Sequence, residues 1–366
     1  MSFGYELLGY SKVIYLGSVL ILSCLLCFLM IRMLSPISVL INLVDKPGGR
    51  KLHSGNVPLI GGLCIYLSVG LIAVLFVESV LFTRIFVVVG GLIVLMGMLD
   101  DKYHLSPGYR LVAQLLISCI FVYGLEIHIK SLGAIFEWGE IQLGILGYPV
   151  AVLSLMGVSN AMNMMDGVDG LVGGISIVSF LGMLFLFGLS GAKVDYLICT
   201  SFIGALFAFL YFNLVAIGAS TKKIFMGDAG SMFLGLSIGV FCIRGSQGEG
   251  ASFPPVVALW LVFLPFLDMV TIIYRRLVRG SSPLSPDRTH LHHILLRAGY
   301  SPREVLCIIL IVHALLVTFS IILLMLGVSE MVSLVALLLA GVIYQVFMSR
   351  LWFFFRLHKA RRRAHA

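Results

Sequence analysis

Eleven apolar runs divide this chain, near 13–33, 58–78, 84–99, 110–128, 148–165, 171–190, 197–216, 231–243, 255–274, 304–326 and 330–349. Crossing ~30 Å of hydrocarbon at ~1.5 Å per residue takes about 20 helical residues, and within lipid every backbone polar group must be satisfied inside the segment. The runs therefore read as membrane-spanning helices, the third and eighth being short. Composition agrees, because 60% hydrophobic and 11% charged residues with a mean hydropathy of +1.08 exclude an ordinary soluble domain. The expected fold is an all-α polytopic membrane protein, a single integral-membrane domain over 1–366 without repeats or a second soluble unit. The first apolar run has no A-x-A-like cleavage site and leads into the multi-span pattern, so it reads as a retained helix.

Lys and Arg are retained on the cytoplasmic side of a membrane. With the N-terminus outside, loops 32–57, 100–110, 217–230 and 275–303 and the tail 350–366 hold 20 of the 25 Lys and Arg residues. An odd number of spans then places the C-terminus, with Arg361-Arg362-Arg363, in the cytoplasm beside anionic headgroups. This bias and the basic tail account for the formal charge of +8, which therefore gives no argument for nucleic acid; a basic cytoplasmic face favours a polyanionic substrate. All seven Cys lie in apolar runs and read as small buried hydrophobes rather than as a disulfide or zinc framework.

Under that topology eight of the nine Asp residues, all except Asp195, fall on the cytoplasmic side, whereas seven of the eight Glu fall outside. A helix cap or turn explains any one Asp but not such a collection. Asp100 and Asp101 are adjacent where a span emerges, and neighbours on a helix point ~100° apart, so the two should meet different partners. Asn160, Asn163, Asp166 and Asp169 recur every third residue and would line one side of a helix or tight turn. Polar groups in that number beside lipid call for a hydrated, ion-containing cavity. Asp228 lies in the run Phe225-Met226-Gly227-Asp228-Ala229-Gly230-Ser231. Carboxylate oxygens suit Mg2+ or Mn2+, held by one or two carboxylates plus substrate phosphates, which makes Asp228 a metal candidate.

Two further loops supply cations and imidazoles. Loop 45–58 carries Arg50, Lys51 and His53 among turn-forming Pro and Gly, a composition able to bind phosphate. Loop 275–303 carries Asp287-Arg288-Thr289-His290-Leu291-His292-His293 between Ser285-Pro286 and Gly299, start and stop signals for a short amphipathic helix at the membrane surface. His290 and His293 would share its face. They lack an accompanying Cys or third zinc ligand, so hydrogen bonding by Arg288, His290, His292 and His293 to a diphosphate or sugar is the better reading. Ser301 and Glu304 have capping-box spacing. His313 reads as a packing residue, and Asp268, inside the ninth span, as a group that pairs with a basic neighbour or shapes the site.

Together, R-K-x-H…P-x-x-G-G at 50–62, D-D-K-Y at 100–103, N-x-x-D-G-x-D-G at 163–170, F-M-G-D-A-G-S at 225–231 and S-P-D-R-T-H-L-H-H at 285–293 resemble the polyprenyl-phosphate N-acetylhexosamine-1-phosphate transferase family. The resemblance covers almost the whole chain. It departs at His104, where many relatives have a third acidic residue, and before Phe225, where the N-x-P pattern is missing. It implies a Mg2+-dependent enzyme of the bacterial inner membrane, working at the cytoplasmic face through loops 32–57, 100–110, 165–170, 217–230 and 275–303. The implied substrates are UDP-GlcNAc and undecaprenyl phosphate, and the products undecaprenyl-diphospho-GlcNAc and UMP, which start O-antigen or enterobacterial-common-antigen glycans. Another UDP-N-acetylhexosamine is the runner-up donor, and a homodimer is implied.

Catalytic work by Asp100, Asp101, Asp166 and Asp169, substrate contact by Asn163 and Mg2+ at Asp228 follow from the same resemblance. Chemistry constrains the mechanism separately. A phosphate monoester has a second pKa of about 6, so the lipid phosphate is already a nucleophilic dianion and needs alignment more than a base; Asp100 or Asp101 would orient it or take its residual proton. Direct in-line attack is preferred to a covalent sugar-phosphoryl-aspartate. The opposing class is a transporter, whose carboxylates would sit near the midplane at broken helices of repeated halves.

Overall fold

Each of the eleven apolar runs lies on a helix in the computed structural model, which describes residues 2–46, 55–77, 79–136, 139–215, 223–283 and 289–364, with the backbone alone at 2–13, 80, 215 and 351–364. The helices are α1 (Ser2–Leu40), α2 (Gly61–Phe76), α3 (Val80–Tyr103), α4 (Pro107–Gly124), α5 (Gly147–Met165), α6 (Leu171–Ser190), α7 (Lys193–Leu210), α8 (Gly227–Ser246), α9 (Pro255–Val278), the short α10 (Leu291–Arg297), α11 (Pro302–Met325) and α12 (Glu330–Ala364). Ten are long and apolar enough to cross a membrane, and α2, at 16 residues, is the shorter apolar helix. This corrects two expectations. The third and eighth spans have full length, at 24 and 20 residues, and the second is the short one. Apolar runs stop at charged side chains, whereas α3 continues through Asp100, Asp101 and Lys102 and α8 begins before Asp228, because their carboxylates turn into protein rather than lipid.

Helix α8 is the axis of the bundle: 94% of its spanning window is buried, against 17% for α12 and 22% for α1. It packs on α2, α3, α5, α6 and α9. Phe86, Phe180, Phe202, Phe233 and Phe241 interlock between α3, α6, α7 and α8, with Phe180 and Phe202 stacked at 4.4 Å. At the first turn of α8 helices approach one another closely. A Cβ on Gly62 would lie 2.2 Å from Gly230 Cα, and one on Gly97 2.3 Å from Ala229 Cα, so backbone rather than side chains makes the contact. We expect Gly97→Ala to force α3 off α8 and to destabilise the protein by about 1–3 kcal/mol, read as the melting temperature in detergent; an unchanged temperature would mean that the crossing is looser than described.

The start of α2 is tied to the segment before α8. Strand β1 (Val44–Asp45) pairs antiparallel with β2 (Val57–Pro58), Leu59 bridges in parallel to Phe225, and Gly61 and Gly62 N–H donate to the Phe225 and Met226 carbonyls at 3.0 and 3.1 Å. Backbone carbonyls thus satisfy helix-end donors that no side chain caps. The expected capping box at α11 is present, with Glu304 N donating to Ser301 Oγ and Ser301 N to Glu304 Oε2. At the far end of α8 from Asp228, Arg244 donates to both oxygens of Asp195 at 2.6 and 3.1 Å and stacks over Phe82. Asp195, the one Asp assigned to the other side, thus lies at the opposite end of α8 from Asp228.

Candidate active site

The α3 carboxylates diverge as their helical phase requires. Asp100, 3% exposed, accepts from Leu105 N at 2.9 Å through Oδ1 and from Arg110 Nη1 at 2.7 Å through Oδ2. Both oxygens accept hydrogen bonds, and Asp100, expected to be catalytic, lines the cavity and holds Arg110, whose Nη1 also lies 3.7 Å from Asp228 Oδ2. Asp101 turns the other way and accepts from Asp228 N at 2.9 Å and Ala229 N at 3.5 Å. It caps α8 from a different helix, which favours the positive end of that helix's dipole.

The three-residue repeat does not hold as one surface. Helix α5 ends at Met165, and Asn160 points away, donating to Gln114 Oε1 at 2.6 Å. Asn163 faces the site and donates to Asp228 Oδ1 at 2.8 Å and Ser231 Oγ at 3.0 Å. Beyond it the chain turns through Asp166-Gly167-Val168-Asp169-Gly170, with Gly170 at φ +76. Asp169 pairs with Lys223. Asn213, 5% exposed in a π-turn over Tyr211–Val215, accepts from Gly170 N at 2.6 Å and donates to Ile224 O at 2.9 Å. It bolts the Asp166–Gly170 loop to the segment leading into α8. Sequence reading missed Asn213 and Arg110; a buried amide inside an apolar run was the available signal for the first.

The histidines depart further from expectation. Helix α10 starts at Leu291, with His290 as its N-cap rather than on a shared face with His293. His290 Nδ1 contacts Asp268 Oδ2 at 2.7 Å, so Asp268 does find a basic partner. His292, expected to bind substrate, is 1% exposed and packs on Gly167, where a Cβ would lie 2.1 Å from its Nε2. Burial first, then His293 and His290, push its pKa down to about 3, leaving a neutral ring that supports the loop. The His292 and His293 rings are 4.2 Å apart. Lys51, His53 and Arg288 lie outside the described residues. His313 meets Ser179 Oγ through Nε2 at 3.0 Å, as a packing residue would, although its Nδ1 is buried without a partner.

Between these elements lies a cavity of about 530 Å3, lined by Asp45, Asp100, Asp101, His104, Asp166, Asp169 and Asp228 on its polar side and by Leu59, Leu171, Val172 and Phe209 on its apolar side. Asp166 is open to it yet flanked by protein; loss of bulk water first, then the charges of Asp228 and Asp169, push its pKa up to about 7. That lies above the ~3.9 of an unfolded Asp. Between the two values the folded state holds the extra proton, so stability falls as pH rises through that window. We expect the melting temperature in chelator to drop from pH 5 to pH 8, and Asp166→Asn to flatten the slope; an identical slope in the variant would place the dependence elsewhere.

A carboxylate-lined cavity with one apolar wall thus lies at the ends of membrane-embedded helices, where ionisable groups mark a candidate functional site. Comparison with known proteins gives the family. The Glycosyl transferase family 4 profile matches residues 83–246. The chain is 34% identical over 317 residues to the undecaprenyl-phosphate alpha-N-acetylglucosaminyl 1-phosphate transferase of Yersinia pestis, covering 86% of this chain and 87% of that one. It is 35% identical over 324 residues to the protein of that name from Salmonella typhi, 86% of each chain. It is 33% identical over 347 residues to that from Pasteurella multocida, 94% and 97% of the two chains. The chain belongs to glycosyl transferase family 4, the family of sugar-1-phosphate transferases that its motifs resemble.

Proposed function

We propose that the protein transfers N-acetylglucosamine 1-phosphate from UDP-N-acetylglucosamine to undecaprenyl phosphate, at the cytoplasmic face of a bacterial inner membrane, releasing UMP. The observation that carries this reading is the cavity itself: Asp101, Asp166, Asp169 and Asp228 line it beside an apolar wall, in a chain whose relatives are named for that reaction over most of their length. Positive-inside bias supports the orientation. An oxygen of the lipid phosphate attacks the β-phosphorus of the donor, a new P–O bond forms, and the bond to UMP breaks with its electron pair leaving on UMP. The attacking group is largely a dianion near neutral pH, so the protein's task is alignment and charge management.

The chain's residues divide that task. Asp101 holds the start of α8, and Asn163 holds Asp228. Asp100 fixes Arg110 beside Asp228, where a fixed cation can face a diphosphate. Asp166, rather than Asp100 or Asp101, has an uncommitted carboxyl with a pKa of about 7 and suits the residual proton of the acceptor. The donor type suits Mg2+: hard carboxylate oxygens crowd one cavity, and that ion binds one or two carboxylates plus phosphate and water. Asp228 would hold Mg2+, which would supply charge neutralisation of the diphosphate. The test is transfer from radiolabelled UDP-GlcNAc to undecaprenyl phosphate by purified protein, with Mg2+ and with chelator. Metal-dependent labelled lipid plus UMP is expected. Product only from a different UDP-sugar would overturn the donor, and no product from any would overturn the reaction.

A further inference from the structure

Asp268 is fully buried, at 0% exposure, yet it belongs to none of the groups that line the cavity. Burying a carboxylate costs several kcal/mol unless its oxygens are satisfied, and an apolar residue in such a place is often no less stable. Its hydrogen bonds show what the charge does. Oδ2 meets His290 Nδ1 at 2.7 Å; Oδ1 accepts from Leu291 N at 3.0 Å and from Tyr344 Oη at 2.6 Å. One carboxylate of α9 therefore grips the N-cap side chain and first backbone donor of α10, and is itself held by α12.

Helix α10 needs such a grip, because its seven residues are too few to hold a helix unaided. The next contact in the chain leads to the cavity, since His292 of α10 packs on Gly167 with no room for a Cβ between them, and Gly167 lies between Asp166 and Val168 in the cavity wall. We propose that Asp268 and Tyr344 are positioning residues for the transferase: through His290 they seat α10, and through His292 they fix the Asp166–Gly170 loop. Accepting from Nδ1 also sets the histidine tautomer, leaving Nε2 as the remaining ring nitrogen. The helix most open to lipid thereby takes part in the site's geometry. The proposal rests on the transferase reading only for its kinetic arm.

The test uses the full chain in detergent with Asp268→Asn, Tyr344→Phe, His290→Ala and the Asp268→Asn/His290→Ala pair, read by transfer kinetics, melting temperature and amide hydrogen exchange. Misplacing a loop by ~1 Å can cost about a hundredfold in rate. Asp268→Asn is expected to lower kcat on that order, and Tyr344→Phe by about tenfold, with the KM for UDP-GlcNAc within about twofold in each. The double variant should be no slower than His290→Ala alone, since one residue acts through the other. Exchange at 291–297 should accelerate in Asp268→Asn and Tyr344→Phe while the core of α8 stays protected. Wild-type kcat and unchanged exchange at 291–297 would overturn the proposal, as would losses that multiply in the double variant. Should Asp268→Asn not fold, Tyr344→Phe, which loses a single hydroxyl, decides. If the wild type transfers no sugar phosphate from any donor, the reaction assignment fails while the exchange arm still judges the positioning role.

Discussion

Asp228→Asn is expected to abolish nearly all transfer, by about a thousandfold, while the protein folds and melts close to wild type. Asp228 Oδ1 accepts from Asn163, and the side chain is 34% exposed to the cavity, so an amide of the same shape removes charge without opening a hole. The start of α8 keeps its cap, because Asp101 accepts from backbone N–H groups at 228 and 229 and not from the Asp228 side chain. Loss of charge also relieves repulsion on Asp166, whose proton affinity Asp228 raises, and stability should if anything increase. Mg2+ should raise the melting temperature of the wild type by mass action and leave that of the variant unmoved. Activity within tenfold of wild type, or an equal thermal response to Mg2+, would remove Asp228 from the chemistry.

The second large effect is expected at Arg110. Alanine there leaves Asp100 buried, 4% exposed at its side chain, with a backbone N–H and the Asp228 carboxyl but no cation beside it. Stranding a buried carboxylate costs about 3–5 kcal/mol; Arg110 is itself 29% exposed, and solvent screening lowers the expectation to about 2–3 kcal/mol. Activity should fall by at least about a hundredfold, since Arg110 also stands beside Asp228. Arg110→Ala/Asp100→Asn should recover much of the stability and none of the activity. A double variant no more stable than Arg110→Ala would mean that the pair does not carry the cost.

The length of the apolar runs exposed the helices, because lipid leaves the backbone few alternatives, and the loops with dense Asp, Asn and Gly were legible as the site for the same reason. What remained hidden was the allocation of partners. Asp100 and Asp101 are adjacent in sequence, and their divergence followed from helical phase. That one would spend itself on Arg110 and the other on a helix 127 residues away depends on how α3, α4 and α8 cross. Asp268 stood out only as a polar residue in apolar surroundings, Asn213 was missed, and nothing local names Leu291 or Gly170 as their counterparts. The histidines misled because a spacing rule for helix faces was applied across a helix start: His290 precedes α10, so its ring is set by the cap and not by the helical turn.

The capping of α8 by Asp101 has an electrostatic price for the substrate. Many phosphate sites place the anion on bare N–H groups at a helix start, but here the amides of Asp228 and Ala229 already face a carboxylate. The amides at the pole of the central helix are thereby taken by a carboxyl group, and a nucleotide diphosphate arriving there finds no bare helix start to bind it. Attraction has to be brought in by mobile or side-chain cations. Among the described residues Arg110, 3.7 Å from Asp228 Oδ2, is a cation placed to meet the diphosphate, so recognition of the donor falls to side chains rather than to the helix pole.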